Sequence, residues 1–203
     1  MRMRLLLATR NPGKKREYQE LLAGLGLALV TLDEAGIDLE VDESGTTFAE
    51  NALLKARGYA RASGLPTLAD DSGLEVDALG GAPGVHSARY AGAAATDEDR
   101  YRLLLQSMRA VSDGQRSARF RCAIAVAWPD GPVDIAAGAC EGTIAREPRG
   151  AHGFGYDPVF LLADRGLTMA ELPPEDKNRL SHRARAAASL RPTLQRRLAG
   201  RDA

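Results

Sequence analysis

From Phe120 to Trp128 the apolar residues Phe120, Cys122, Ile124, Val126 and Trp128 fall at alternate positions, the period of a strand with one buried face. Pro129-Asp130-Gly131-Pro132 then turns the chain, and Val133 to Ala139 reads as the returning strand of a hairpin. A hairpin makes its two strands antiparallel neighbours, which excludes a sheet wound from strict βαβ units. Helices nevertheless alternate with strands elsewhere. Leu5 to Ala8 is a short apolar run, followed by a helix from Lys14 in which Tyr18, Leu21, Leu22 and Leu25 recur at helical spacing until Gly24–Gly26. The expectation is an α/β or α+β chain with a mixed sheet, no internal repeat and no clean domain linker.

Further elements follow from local chemistry. Ala28 to Thr31 reads as a strand. Thr47-Phe48-Ala49-Glu50 is a capping box that opens a helix with Phe48, Ala52, Leu53, Ala56, Tyr59 and Ala60 inward, stopped by Gly64 and Pro66. Thr96-Asp97-Glu98-Asp99 caps a helix through about Met108, and Gly80 to Gly84 is a tight loop. Thr67 to Ala69 is strand-like and leads into a predicted turn, Asp70-Asp71-Ser72-Gly73. Ser181 to about Leu198 is a final helix expected to be interrupted near Pro192.

Bulk properties narrow the function. Lysine plus arginine equals aspartate plus glutamate, 27 against 27, so no global field draws polyanions to the chain. An RNA-binding reading rests only on the terminal arginines Arg179, Arg183, Arg185, Arg191, Arg196, Arg197 and Arg201, most of which are expected on a solvated helix face; the aromatic interleaving of single-strand binders is missing. Cys122 and Cys140 form no C-x-x-C pair and no zinc spacing. The basic start at Met1 to Arg4 precedes an apolar run too short for a signal peptide, and no run approaches the ~18 apolar residues of a membrane span. The expectation is a soluble, cytoplasmic protein that binds neither nucleic acid nor membrane.

Four segments can carry chemistry. Thr9-Arg10-Asn11-Pro12-Gly13-Lys14 stands between a strand and a helix, where unpaired amides and a lysine suit an anion, although the Walker A spacing is absent. Asp70-Asp71, with Glu43 as a further acid, can hold a divalent metal or take a proton from water; Asp and Ser also simply favour turns. In Gly153-Phe154-Gly155-Tyr156-Asp157-Pro158, glycines beside an aromatic admit a flat ligand on which Phe154 could stack, with Asp157 bonding to it. Gly-x-Gly here lacks the rest of a dinucleotide fingerprint. Lys177 and Ser181-His182-Arg183 bring cations for phosphate and a possible donor for a base carbonyl. His86 and His152 receive no role beyond loop packing, and no nucleophile elbow accompanies any serine.

In order, Thr9-x-Asn11-x-x-Lys14, Thr47 to Ala56, Asp70-Asp71-Ser72-Gly73-Leu74, Gly80 to Tyr90, Phe154 to Pro158 and Ser181-His182-Arg183 closely resemble the house-cleaning inosine and xanthosine triphosphate pyrophosphatases, the Ham1-like family, over about Leu5 to Ala188. The resemblance implies an elongated α/β fold: one domain over residues 1–203, a central mixed sheet flanked by helices, two lobes with an active-site cleft between them, and a homodimer. It also implies Mg²⁺-dependent hydrolysis of ITP, dITP and XTP to the monophosphate and pyrophosphate. By the same resemblance Thr9, Arg10, Asn11, Pro12, Gly13 and Lys14 would bind phosphates, Asp71 would be the catalytic acid residue, as base for water, metal contact or both, and Glu43 a second metal candidate. Ser72 would lie in the substrate site; Phe154, Gly155, Tyr156, Asp157, Lys177, His182 and Arg183 would hold base, sugar and phosphates. Pro173-Pro174 departs from the usual pattern just before Lys177. The rival readings are a Maf-like pyrophosphatase for modified pyrimidine nucleotides and a nucleotide sensor without catalysis.

Overall fold

The computed structural model describes residues 2–129 and 131–200. In chain order the strands are β1 (Met3–Leu7), β2 (Leu27–Thr31), β3 (Thr67–Val76), β4 (Ser117–Ala127), β5 (Val133–Ile144), β6 (Phe160–Leu162) and β7 (Leu167–Thr168). The α-helices are α1 (Pro12–Leu21), α2 (Phe48–Ser63), α3 (Asp97–Ser107), α4 (Pro174–Leu180) and α5 (His182–Ala199). The strands form a seven-stranded open sheet in the order β2-β1-β3-β4-β5-β6-β7. It is mixed: β1 runs parallel to β2 (Leu5 beside Leu29) and to β3 (Leu6 beside Thr67), whereas β6 is antiparallel to β5 (Phe160 beside Ile144) and to β7. Among the described residues no helix is long and apolar enough to cross a membrane.

Two compact units divide the chain: Met1–Asp71, Cys122–Gly138 and Arg183–Ala203 form the first, Ser72–Arg121 and Ala139–His182 the second. In the first unit the sheet is covered on both faces. Leu5, Leu7, Leu68, Cys122, Ile124 and Val126 pack with Tyr18 and Leu22 of the α1 segment and with Ala186, Leu190 and Leu194 of α5. On the opposite face Leu6, Ala69, Ala123, Ala125 and Ala127 meet Ala52, Ala56, Tyr59 and Ala60 of α2. Small residues on both sides let α2 lie close to the strands. The one apolar face expected for β4 is therefore half the finding; its other face is buried too, by alanines whose hydropathy announces no strand face. Burying each of Leu5, Leu6 and Leu7 fully contributes about 1.5–3 kcal/mol. The core of the second unit gathers Leu74, Val76, Phe120, Cys140, Ile144, Tyr156 and Phe160 with Leu104 and Met108 from the α3 segment.

Both capping boxes form. Thr47 accepts the Glu50 N–H and Thr96 the Asp99 N–H, each at 3.1 Å, and the acid returns to the cap backbone. α1 begins two residues before the expected Lys14, because Asn11 caps it and Pro12 supplies a preset φ. The turn after β4 closes with the Trp128 N–H on Pro132 O at 3.0 Å; Asp130 of that turn lies outside the described residues, as does Arg201. β5 runs on to Ile144, beyond the expected Ala139.

Two expectations are corrected. Asp70-Asp71-Ser72-Gly73 is no turn but the middle of β3, because buried partners on both sides satisfy the Asp70 and Asp71 carboxylates. Pro192 does not interrupt the last helix; α5 continues through it. Its ring removes a bond to the Ala188 carbonyl, and both residues are solvent-exposed, so water can replace that partner.

Candidate active site

β3 sends alternate side chains to opposite faces, so the adjacent carboxylates Asp70 and Asp71 meet different partners in the first unit. Asp70 is 2% exposed. Its Oδ2 lies 3.0 Å from Lys14 Nζ and 3.2 Å from Arg183 Nη2, while Arg183 Nη1 donates to Glu17 at 2.6 Å. Burial alone would raise the Asp70 carboxyl, but the charges of Lys14, Arg183 and Lys55 outweigh it and hold the group well below the usual carboxylate range. Asp70 is thus an anion at neutral pH, paired with two cations.

Asp71 accepts Asn51 Nδ2 at 3.2 Å and lies 3.5 Å from Lys55 Nζ, which also reaches Glu43 at 2.7 Å. Burial raises the Asp71 carboxyl, Lys55 and Lys14 oppose this, Glu43 adds to it, and the net shift is upward. A carboxylate with a raised pKa is the better proton acceptor. Asn51 is 1% exposed and also accepts the Gly45 N–H at 2.8 Å, tying the segment that carries Glu43 to the residue that orients Asp71. Lys55 remains an ammonium, since Asp71, Asp70 and Glu43 together overcome the burial that would lower its pKa.

The phosphate-loop expectation is modified in detail. Asn11 Oδ1 accepts the Gly13 and Lys14 N–H groups at 2.8 and 3.1 Å, and Thr9 Oγ1 accepts the Asn11 N–H. Two amides that the sequence offered to an anion are therefore capped, leaving the Lys14 side chain as the cation of this turn. Arg10 is bound to Asp33 and to the Ile37 carbonyl. Arg183, read from the sequence as a phosphate ligand, is 1% exposed and ion-paired with two carboxylates.

Glu43 and Asp71 both face one ammonium, a position whose chemistry suits a cation. Among the described residues no group of three or more His, Cys, Asp or Glu could hold a metal. A divalent ion here would draw further ligands from phosphate oxygens and water, which is how Mg²⁺ is ordinarily bound. The donor set fits that ion.

In the second unit, Asp157 Oδ2 accepts the Phe154 N–H at 2.8 Å and pairs with the Lys177 ammonium, which stands 4.5 Å from the Phe154 ring centroid. Gly153 has φ +78°, and a Cβ there would collide with Asp157 Oδ2, so only glycine lets this carboxylate fold under the loop. Tyr156 is buried and donates to the Ser87 carbonyl at 2.9 Å. His182 is stacked on Phe120 with ring centroids 4.7 Å apart. Pro174 occupies the first turn of α4 with Lys177 three residues on; the Pro173-Pro174 departure is a helix start. Ser72 is half-buried, next to Asp71 along β3.

Sequence reasoning gave no role to Glu17, Asn51, Lys55 or Asp70 as a cation hub. Their signal was helical spacing: Glu17 follows Lys14 by three residues and Lys55 follows Asn51 by four, so each pair shares a helix face.

The open mixed sheet flanked by helices, with carboxylate–lysine pairs at Asp71 in the first unit and at Asp157 in the second, defines an α/β protein. The sequence model of the Ham1 family matches residues 5–193, and the chain belongs to that family. It is 56% identical over 198 residues to the dITP/XTP pyrophosphatase of Methylococcus capsulatus, covering 96% of this chain and 98% of that protein. To the dITP/XTP pyrophosphatase of Bacillus subtilis it is 46% identical over 190 residues, covering 94% and 96%. The structure of a HAM1 protein from Coxiella burnetii matches with a TM-score of 0.87 at 45% identity, covering 96% of this chain and 99% of that one. The Staphylococcus aureus Ham1 protein matches at 0.83 and 37% identity, covering 98% and 99%.

Proposed function

We propose that this chain hydrolyses the noncanonical purine nucleoside triphosphates ITP, dITP and XTP to the monophosphate and pyrophosphate, as a cytoplasmic homodimer whose two lobes form one functional domain. The observation that carries the reading is Asp71: a buried carboxylate with a raised pKa, oriented by Asn51 and Lys55 beside Glu43. Relatives 56% and 46% identical bear the name dITP/XTP pyrophosphatase, which supports the substrate class.

In this reading Asp71 accepts the proton of the water that attacks phosphorus, forming a new P–O bond as the bridge between the α and β phosphates breaks and pyrophosphate leaves the monophosphate. Lys14 and Lys55 neutralise phosphate charge, with Thr9 to Gly13 shaping that turn. Asp70 and Arg183 hold Lys14 and the strand in place. Bound at Glu43 and Asp71, Mg²⁺ would supply charge stabilisation for the phosphates. Phe154 stacks on the base, Gly155 and Tyr156 keep the loop close, and Asp157 with Lys177 and Ser72 completes the nucleotide contacts. His182 senses O6; adenine, with an amine there, would leave a buried donor unpaired or opposed by another, and such mismatches can reach factors of ~10⁴.

Incubation with Mg²⁺ and, separately, ITP, XTP, ATP, GTP and dTTP tests the reading by its products. Monophosphate and pyrophosphate from ITP and XTP support it. Orthophosphate plus diphosphate refutes the bond assignment, turnover of dTTP points to the pyrimidine enzyme, and ITP binding without turnover points to a sensor. Asp71→Asn should lower turnover by about 10²–10⁴-fold with ITP affinity within a few fold, and His182→Ala should narrow the ITP-over-ATP ratio.

A further inference from the structure

We infer that Asp97, the first residue of α3, is a positioning residue for the Gly153–Asp157 loop, holding it in the conformation that accepts a purine base. The inference rests on the base-binding reading of that loop. Two consecutive amides of the loop end on carboxylates. The Phe154 N–H goes to Asp157, three residues away, whereas the Gly155 N–H goes to Asp97 Oδ2 at 2.7 Å, across 58 residues of sequence. Asp97 is itself held: its Oδ1 accepts Arg100 Nη1 at 2.7 Å, and Arg100 Nη2 donates to the Ala95 carbonyl at 2.6 Å. The carboxylate is thereby a fixed acceptor between the start of a helix and the loop.

Helix capping does not need this side chain. The box that starts α3 is made by Thr96 and Asp99, and Glu98 supplies negative charge to the first turn while bonding to Arg102. Gly155 has φ +64° and, as a glycine, can adopt many other conformations. Release of its N–H to water would let the 154–155 peptide rotate and carry the Phe154 ring away from the Lys177 ammonium. If the binding-competent loop conformer falls to about a tenth of the population, apparent affinity for the base falls about tenfold.

The test compares Asp97→Ala, Asp97→Asn and the control Glu98→Gln, with inosine monophosphate binding by calorimetry in metal-free buffer and KM and kcat for ITP with Mg²⁺. Asp97→Ala should weaken inosine monophosphate binding and raise KM about 5–10-fold with kcat within twofold. Asp97→Asn, which keeps one oxygen for the Gly155 N–H, should fall between it and the parent, and Glu98→Gln should match the parent. A mere helix-end role would lower the melting temperature of Asp97→Ala and Glu98→Gln alike with binding and KM unmoved, and that result overturns the inference. Should Asp97→Ala not fold, unchanged binding in Asp97→Asn together with unchanged KM overturns it equally. Phe154→Ala separates the two levels: weaker binding there without an effect at Asp97 rejects Asp97 alone. Unchanged binding in Phe154→Ala and in Asp97→Ala rejects the base-site reading and this inference together.

Discussion

Asp70→Asn removes the negative charge that Lys14 and Arg183 share. Taking one partner from a buried ion pair costs about 3–5 kcal/mol, and the geometry moderates this. Arg183 keeps Glu17 at 2.6 Å, the Lys14 side chain is 16% exposed, and asparagine retains one oxygen. A loss of about 3 kcal/mol follows, equivalent in a chain of this size to a fall in Tm of about 6–12 °C. Circular dichroism melts in chelator-containing, nucleotide-free buffer measure it at pH 7, and repeats toward pH 3 test the electrostatic cause. Because the folded carboxyl lies below its unfolded value, its ionisation stabilises the fold above about pH 4 and that contribution fades as pH falls further. The gap between parent and Asp70→Asn should therefore shrink in acid. Asp71→Asn has the opposite sign. The Asp71 carboxyl is raised in the folded protein, so its ionisation opposes folding at neutral pH, and the variant should melt at the parent temperature or above. A Tm for Asp70→Asn within about 1 °C of the parent, or equal losses in both variants, would refute the partition of these neighbours onto opposite faces.

Three other outcomes follow from closely packed groups. Arg116 is 3% exposed and donates to the carbonyls of Ile144, Met108 and Ala145 at 2.7, 2.8 and 2.9 Å; Arg116→Met strands these acceptors and should cost roughly 3 kcal/mol in urea unfolding, with a loss under about 1 kcal/mol counting against it. Gly153→Ala drives a methyl into Asp157 from a positive φ, so inosine monophosphate binding should weaken severalfold, and parent-like affinity would mean the loop relaxes freely. Burial pushes the Cys122 thiol up to about 12; Cys122 should resist a thiol reagent at pH 8 until denaturant is added, and fast labelling of the folded protein would contradict its placement.

Local chemistry was legible wherever its partners are near in sequence. Thr47 with Glu50 and Thr96 with Asp99 formed the expected caps, and the β4 alternation and the turn after it produced neighbouring strands. The family was legible too, through six ordered motifs, and the Ham1 match over residues 5–193 bears that out. Asp70 to Gly73 misled because Asp-Asp-Ser-Gly has turn composition, and the partners that satisfy the Asp70 and Asp71 carboxylates inside the strand come from α1, α2 and α5.

By itself, then, the sequence determined the capped helices, the β4–β5 pair, the mixed sheet and the family, because caps, glycine stops and hydrophobic periods act over three to seven residues. Tertiary structure alone decided which polar groups far apart in sequence meet. Arg183 finds Asp70 across 113 residues, and Gly155 finds Asp97 across 58. The Arg183–Asp70 pair exists only once packing has removed water from around it, since a charge left solvated has little reason to prefer one partner over another.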